Sequence, residues 1–342
     1  MHPKEAGFSQ HTCLPNLRER LYITTSTICN LRCRFCAYHR TTIAKRIMPH
    51  PLFRSIVHKA CDFGFSILNL TPLVGEVLVD PDFPAKIEFL EGSSTVEGWS
   101  FCTNFTLAHR EFIHTLPRLN KLQYLAISLY GYDADSFRRM TGGPAALFDR
   151  MVYNLRLLSE LELEFLSRVE LRIRSERCFS MEKCVPALYR PLTSLAEKGT
   201  RVRVVTDRYS NWGGLITAED LADLDIQLQP VVSPKRAPCA FLFYKHTVLP
   251  DGRLNACSAE DGQASMVIGN LATQTFGEIY SLRNKVYRTL VAQQLAGRFS
   301  ESCQACSGYR SIYQHNYTYQ FHKRPFVRLD QFSEQFEPEH ED

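Results

Sequence analysis

Cys29, Cys33 and Cys36 fall within eight positions of a 342-residue chain, spaced C-x3-C-x2-C inside "STICNLRCRFCAYH" (26–39). Thiolates are the ligands that zinc and iron–sulfur clusters select. Three of them on one short loop leave a metal centre one ligand short, and an open position is what a catalytic metal keeps. No fourth Cys or His at zinc-ribbon spacing completes the set nearby. A second set lies far downstream, at Cys239, Cys257, Cys303 and Cys306. Cys239 and Cys257 flank "PDG", a turn signal between two strand-like runs, and Cys303 and Cys306 close the set as "CQAC" after a helical stretch. Four thiolates make a complete site, and both zinc and an iron–sulfur cluster accept them.

The elements that must position these residues can be read from periodicity. Strand-like runs at 21–27, 65–71, 98–104, 122–130, 168–175 and 201–207 alternate with helical patterns at 51–62, 82–91, 146–160 and 181–198. Such βα repetition predicts an α/β fold with a parallel sheet. At period 2, Val169, Leu171 and Ile173 share one face of their strand, and Glu170, Arg172 and Arg174 share the other. Leu125, Ile127 and Leu129 likewise oppose Ala126, Ser128 and Tyr130. A sheet buried on both faces reads as continuous Val, Ile and Leu, and a closed eight-stranded barrel fills its lumen with branched apolar residues. A polar inner face on six strands therefore predicts a partial (β/α)6 TIM-like barrel, open enough to hold a polar ligand. The alternative is that these arginines face water on an edge strand. The three-cysteine loop follows the first strand, at the end where barrel active sites collect.

Composition narrows the classes. Hydrophobic residues make up 44% and charged residues 22%, an ordinary globular balance. Lys and Arg (40) so nearly match Asp and Glu (36) that charge gives no sign of a nucleic-acid partner. No apolar run reaches the roughly 20 residues of a membrane span, and the first 20 residues lack the apolar core of a secretion signal. These features predict a cytoplasmic protein without a membrane partner, in a compartment where clustered cysteines read as metal ligands before disulfides. Cys13, Cys61, Cys102, Cys178 and Cys184 have no paired pattern and read as structural thiols.

The loop C-x3-C-x2-C with Phe35 before Cys36, set after a first strand, resembles the radical S-adenosylmethionine (radical SAM) enzymes. Further segments match in order. Val74-Gly75-Glu76 resembles the family's Gly-Gly-Glu turn, with valine for the first glycine. "CTNFTL" resembles the Thr-Asn-Gly segment, with Phe105 for glycine. "ISLYGYDADSFRRMTG" (127–142) resembles the fourth-strand segment. The resemblance implies that Cys29, Cys33 and Cys36 hold a 4Fe-4S cluster whose open iron binds S-adenosylmethionine. It further implies that Phe35, Gly75, Glu76, Asn104, Ser128, Arg172 and Arg174 contact that cofactor; guanidinium suits its carboxylate. The C-x9–15-G-x4-C pattern followed by "IGNL", a helix and C-x2-C resembles the family's SPASM/twitch extensions. This implies a second, fully ligated 4Fe-4S cluster on Cys239, Cys257, Cys303 and Cys306, with "SNWGG" (210–214) as the bridge.

The resulting expectation is an N-terminal extension (1–20), a radical SAM core (21–215), a linker (216–235), a small C-terminal SPASM/twitch domain (236–310) and a tail (311–342). The implied activity is a radical oxidoreductase fed by a flavodoxin- or ferredoxin-type electron donor. It would abstract hydrogen from a small polar substrate, plausibly a sugar or cyclitol alcohol, with the auxiliary cluster taking an electron. Oxidising an alcohol also needs a base. Glu170, Arg172 and Asp207 are the candidate catalytic residues, with Tyr309, His315 and His322 as further candidate bases. The alternatives are a maturase acting on a short peptide, against which the short segment before the first strand weighs, and a non-catalytic metal-binding protein.

Overall fold

The computed structural model describes residues 20–176, 179–205, 208–281 and 283–312, and the backbone of 13–14 and 327–328. In chain order the main elements begin β1 (Leu21–Ile23), α1 (His50–Phe63), β2 (Ile67–Asn69), α2 (Phe83–Gly92), β3 (Gly98–Thr103), α3 (Arg110–Thr115) and β4 (Leu122–Tyr130). Then come α4 (Ala134–Thr141), α5 (Ala145–Ser159), α6 (Leu163–Leu166), β5 (Val169–Arg174), α7 (Pro186–Glu197) and β6 (Arg201–Val205). The C-terminal part adds α8 (Phe241–Tyr244), β7 (Thr247–Val248), β8 (Arg253–Asn255), β9 (Val267–Asn270), α9 (Phe276–Tyr280), α10 (Lys285–Leu295) and α11 (Glu301–Ala305).

Helix α1 shows why such segments fold as they do. A proline stands in its first turn, where a missing N–H costs nothing. Phe53, Ile56, Val57 and Ala60 recur at helical spacing and are all buried. In β4 and β5 the apolar alternates pack into the core, where Leu125, Ile127, Leu129, Val169, Leu171 and Ile173 are at most 1% exposed. The opposite alternates, Ser128, Arg172 and Arg174, line a cavity. The alternation expected of a one-sided sheet is therefore real, and β5 lies inside the sheet rather than at its edge.

Strands β1 to β6 are parallel neighbours in sequence order, as the βα repeats predict, and the sheet stays open rather than closing into a barrel. One finding goes beyond the expected division into a core and a separate small domain. Strand β7 pairs in parallel with β1, Thr247 opposite Tyr22 and Val248 opposite Ile23, and β8 and β9 follow antiparallel. The result is one nine-stranded sheet in the order β9-β8-β7-β1-β2-β3-β4-β5-β6. Both cysteine sets thus hang from a single continuous framework.

Strand β1 is shorter than the 21–27 run because hydroxyl side chains take over after Ile23. Thr24 Oγ1 meets Thr247 Oγ1 at 3.1 Å and accepts from Leu73 N at 3.0 Å, while Thr27 Oγ1 donates to Ala44 O at 2.7 Å. Such bonds offer the backbone an alternative to a ladder. The helical stretch after β9 is likewise two helices, each with its own side-chain cap: Thr275 with Glu278 for α9, and Asn284 for α10.

Candidate functional site

A cavity of about 370 Å³ opens at the C-terminal ends of β1 to β6, and all three loop cysteines line it. The loop is seated by a neighbouring helix. Arg32 N donates to Thr141 O and Arg34 N to Met140 O, both at 2.9 Å, so the loop satisfies carbonyls that the end of α4 leaves open. Arg34 also ion-pairs with Asp223 at 2.6 Å and donates to Asp220 O at 2.6 Å, which ties the motif to the segment after the bridge.

Gly75 is required at its position. Its φ is +133°, and a Cβ there would lie 2.3 Å from Ser26 O, against the backbone that leads into the cysteine loop. Glu76 is buried and accepts from Thr103 Oγ1 (2.6 Å), Asn104 N (2.7 Å) and Leu78 N (3.1 Å). Burial raises its carboxyl above the ordinary range, and these bonds pull partly the other way. Three of about four acceptor sites on the carboxylate are in use, so its first effect is to knit the ends of β2 and β3 together.

Phe105, in place of the family's glycine, holds φ at +60° and is fully buried. The left-handed turn therefore survives without glycine, at a cost on the order of 1 kcal/mol. Bonds from Phe105 N to Thr103 Oγ1 (2.9 Å) and from Asn154 Nδ2 to Phe105 O (2.8 Å) hold it there. Asn104 borders the cavity, but its amide is committed: Nδ2 donates to Asn30 Oδ1 at 2.9 Å, and Oδ1 accepts from Thr106 N at 3.0 Å.

On the sheet floor, Ser128, Arg172 and Arg203 stand in one register row across β4, β5 and β6. Arg174 Nη1 donates to Ser128 Oγ at 3.1 Å. Arg172 Nε donates to Glu170 Oε1 at 2.7 Å, and its Nη2 to Tyr124 OH at 2.7 Å. This corrects the candidate base Glu170. It does not line the cavity; although burial opposes its ionisation, bonds from Arg172 and Tyr124 hold it below the ordinary carboxylate range. Tyr309 is also displaced from that role, because it lines the other cysteine site and donates to Ala237 O at 2.8 Å. Asp207, His315, His322 and Cys178 lie outside the described residues.

Phe35 packs against Tyr130 and Tyr209 with ring centroids 5.5 and 5.1 Å apart, forming an aromatic wall. Tyr130, Tyr209, Trp212 and Arg208 are cavity residues that no motif had singled out for this site. Period 2 placed Tyr130 on the face of Ser128; Arg208 and Tyr209 come from a two-residue strand and Trp212 from a short turn, too brief for a periodic signal.

The second set surrounds a small cavity lined by Cys239, Cys257, Cys303 and Cys306 with apolar neighbours such as Phe241, Leu242 and Met266. Gln294, 1% exposed, accepts from Cys239 N at 2.8 Å and donates to Cys303 Sγ at 3.5 Å. The bridge joins the two sites directly. Trp212 Nε1 donates to Phe35 O (3.0 Å), and Asn211 Nδ2 donates to Ala305 O (2.6 Å) beside Cys306. Gly262 completes the junction: a Cβ there would stand 2.6 Å from Ala37 Cβ.

Burial raises all seven thiols. It pushes Cys29 up to about 12, with Glu76 and Cys36 adding repulsion, and Cys257 up to about 12. Cys239 rises to about 11. Cys33, Cys36, Cys303 and Cys306 shift the same way for the same first cause. Grouped, desolvated thiols suit a bound cation, which deprotonates its sulfur ligands outright. Among the described residues, no three His, Cys, Asp or Glu side chains converge closely enough to hold a single metal ion. Nor is any described helix long and apolar enough to cross a membrane.

Comparison with known proteins agrees with this geometry. Residues 23–169 match the model of the radical SAM superfamily, and 239–307 match that of an iron–sulfur cluster-binding domain, SPASM. No curated protein matches the sequence. Solved structures that share the fold include the following three. BtrN in complex with AdoMet and 2-DOIA aligns at TM-score 0.55 and 15% identity over 86% of this chain and 94% of that one. Streptococcus suis SuiB bound to S-adenosylmethionine aligns at 0.55 and 15%, over 88% and 72%. Native anSMEcpe with bound AdoMet and Cp18Cys peptide aligns at 0.50 and 14%, over 81% and 83%.

Proposed function

Because the chain belongs to the radical SAM superfamily and carries a SPASM domain, we propose that it is a radical oxidoreductase acting on a small polar substrate such as a sugar or cyclitol alcohol. The observation that carries this reading is the pairing of two unlike sites. Three cysteines border a roomy cavity whose mixed wall carries arginines, hydroxyls and a carboxylate, and four surround a much smaller cavity whose lining includes Phe241, Leu242 and Met266 alongside Glu260 and Asp261. Cys29, Cys33 and Cys36 would hold a 4Fe-4S cluster with one iron left without a thiolate, which would supply the electron for reductive cleavage of S-adenosylmethionine and hence for hydrogen-atom abstraction from substrate. A cluster on Cys239, Cys257, Cys303 and Cys306 would have no open iron, which suits it to accept the electron that remains once an alcohol carbon has lost that hydrogen atom and its hydroxyl a proton.

The chain's own residues orient the reactants. Ser128, Arg172 and Arg174 offer donors to a carboxylate on the cavity floor. Glu76 and Gly75 fix the turn over the cysteine loop, and the last acceptor site of Glu76 is available to an ammonium group. The aromatic wall of Phe35, Tyr130 and Tyr209 excludes water on one side, which protects a reactive radical. This reading places the protein in the cytoplasm, supplied by a flavodoxin- or ferredoxin-type donor. The fold is shared with BtrN, whose structure holds 2-DOIA, and with anSMEcpe, whose structure holds a peptide.

The test is anaerobic. Reconstituted protein, reduced in the presence of S-adenosylmethionine, is expected to release 5′-deoxyadenosine. The Cys29→Ala/Cys33→Ala/Cys36→Ala variant is expected to lose about half the bound iron and all release. Unchanged iron in that variant would remove the basis of the assignment.

A further inference from the structure

The cavity has more cations than its assigned work uses. Its described lining contains four arginines, Arg172, Arg174, Arg203 and Arg208, and a single Asp or Glu, Glu76. Arg172 is neutralised by Glu170 and bonded to Tyr124. Arg174 is held by Ser128. The side chains of Arg203 and Arg208, both exposed to solvent, have no hydrogen-bonded or ionic partner among the described residues.

Their placement is also not what stability alone would favour. Arg203 stands directly opposite Arg172 in the β5–β6 register, and like charges so paired repel. Edge strands do carry charges to discourage further pairing, but a charge on either face would serve. Arg203 stands on the cavity face, in the row of Ser128 and Arg172. Arg208 joins it from a short strand pair beyond β6, where Arg208 lies opposite Gln227 and Gln229 N donates to Tyr209 O at 2.7 Å. That pairing brings Gln229, a neutral donor, to the same rim. S-adenosylmethionine would add a sulfonium and an ammonium against one carboxylate, while a 4Fe-4S cluster on three thiolates would carry net negative charge at the cysteine loop. Among the described residues, the two guanidiniums at the mouth have no carboxylate partner.

We propose that the mouth of this cavity is an oxyanion subsite, in which Arg203 and Arg208 grip a phosphate or carboxylate group of the substrate. This rests on the radical reading of the same cavity. Guanidinium forks bind both groups bidentately, and a ring of like charge in a cleft also steers an anionic substrate inward. The substrate class narrows from a polar molecule to an anionic one, such as a phosphorylated or acidic sugar derivative. The reacting carbon would then be fixed by an anchor at the rim, with the cofactor at the floor.

The experiment uses reconstituted holoprotein with S-adenosylmethionine bound. Inorganic phosphate and malonate are titrated separately by calorimetry, and release of 5′-deoxyadenosine by the unaltered protein is measured in parallel. Saturable binding of either anion is expected. It should weaken at least about tenfold in Arg203→Gln/Arg208→Gln and recover in part in Arg203→Lys/Arg208→Lys, because lysine keeps the charge but loses the fork. Preference for phosphate would indicate a phosphorylated substrate, and preference for malonate a carboxylate. Binding that is absent, or equal in the glutamine and unaltered proteins, overturns the subsite. If that happens while 5′-deoxyadenosine is still released, the radical reading stands and this inference alone has failed. If nothing is released, the radical reading itself has failed.

Discussion

Around Cys29, Cys33 and Cys36 the protein leaves room, and around Cys239, Cys257, Cys303 and Cys306 it closes in. The first site borders about 370 Å³ of space with arginines, an aromatic wall and a buried carboxylate. The second is surrounded by its own thiols and by side chains such as Phe241, Leu242 and Met266. Both sets of thiols are desolvated, so burial alone does not separate them. What separates them is the missing fourth sulfur and the polar groups that replace it. Three thiolates beside a roomy cavity with polar groups suit chemistry on a bound molecule; four thiolates around a small cavity suit electron storage. The bridge residues Asn211 and Trp212 keep the two within one hydrogen-bonded unit.

The largest way to break this comparison is to open the closed site. Cys257→Ala is expected to remove the auxiliary cluster's iron and most substrate turnover while some release of 5′-deoxyadenosine persists, as read by iron analysis and product chromatography. Equal loss of both activities would show that the sites do not divide the work.

Next comes the support of the open site. Lys86, fully buried on α2, donates to Asp80 Oδ2 at 2.5 Å and to Met48 O at 2.6 Å, clamping the short helix that follows Glu76. Lys86→Met leaves a buried carboxylate unpaired and should cost about 3–5 kcal/mol in denaturant unfolding. A smaller loss would mean that the Asp80 carboxyl, which burial already raises, simply takes a proton.

The closed side should respond to acid. His246 is buried between Tyr280 OH and Leu242 O, each at 2.7 Å, and burial lowers its pKa to about 4. Free imidazole in the unfolded chain titrates near 6.5, so the unfolded state binds more protons below that pH. The stabilisation is therefore complete above about 6.5 and fades as pH falls toward 4, by roughly 3 kcal/mol in all. Urea midpoints against pH, in the unaltered protein and in His246→Gln, check the sign and the size. A variant with the same acid sensitivity would assign the effect elsewhere.

The smallest expected effect tests the junction. Trp212→Phe removes the donor to Phe35 O and should cost about 1 kcal/mol. A change in the reduction potential of either cluster in that variant would show that the contact transmits more than stability.

Much of this was legible in the chain. Seven cysteines at two spacings marked both sites, and period 2 in "VELRIR" and "LAISLY" separated cavity face from core face because a strand has no other way to divide its side chains. The run 122–130 is a strand over its whole length. What periodicity could not show lay in segments too short to carry a period. Arg208, Tyr209 and Trp212 reach the cavity from a segment whose course depends on what it packs against. Glu170 looked like a base from its face alone. Only the folded strand showed Arg172, two residues on, already holding it.

The sequence by itself determined the ligand chemistry, since residue type sets what a thiolate binds and spacing sets which thiolates share a loop. The partial barrel expected from the polar strand faces also implied the order of the first six strands, since βα units follow one another around a barrel. The tertiary structure alone decided that β7 joins β1, so that both sites share one sheet. It alone showed that Phe105 keeps the left-handed turn without glycine, and that two arginines reach the cavity mouth without a partner among the described residues. These features depend on contacts between segments far apart in the chain, and local propensity carries no record of such contacts.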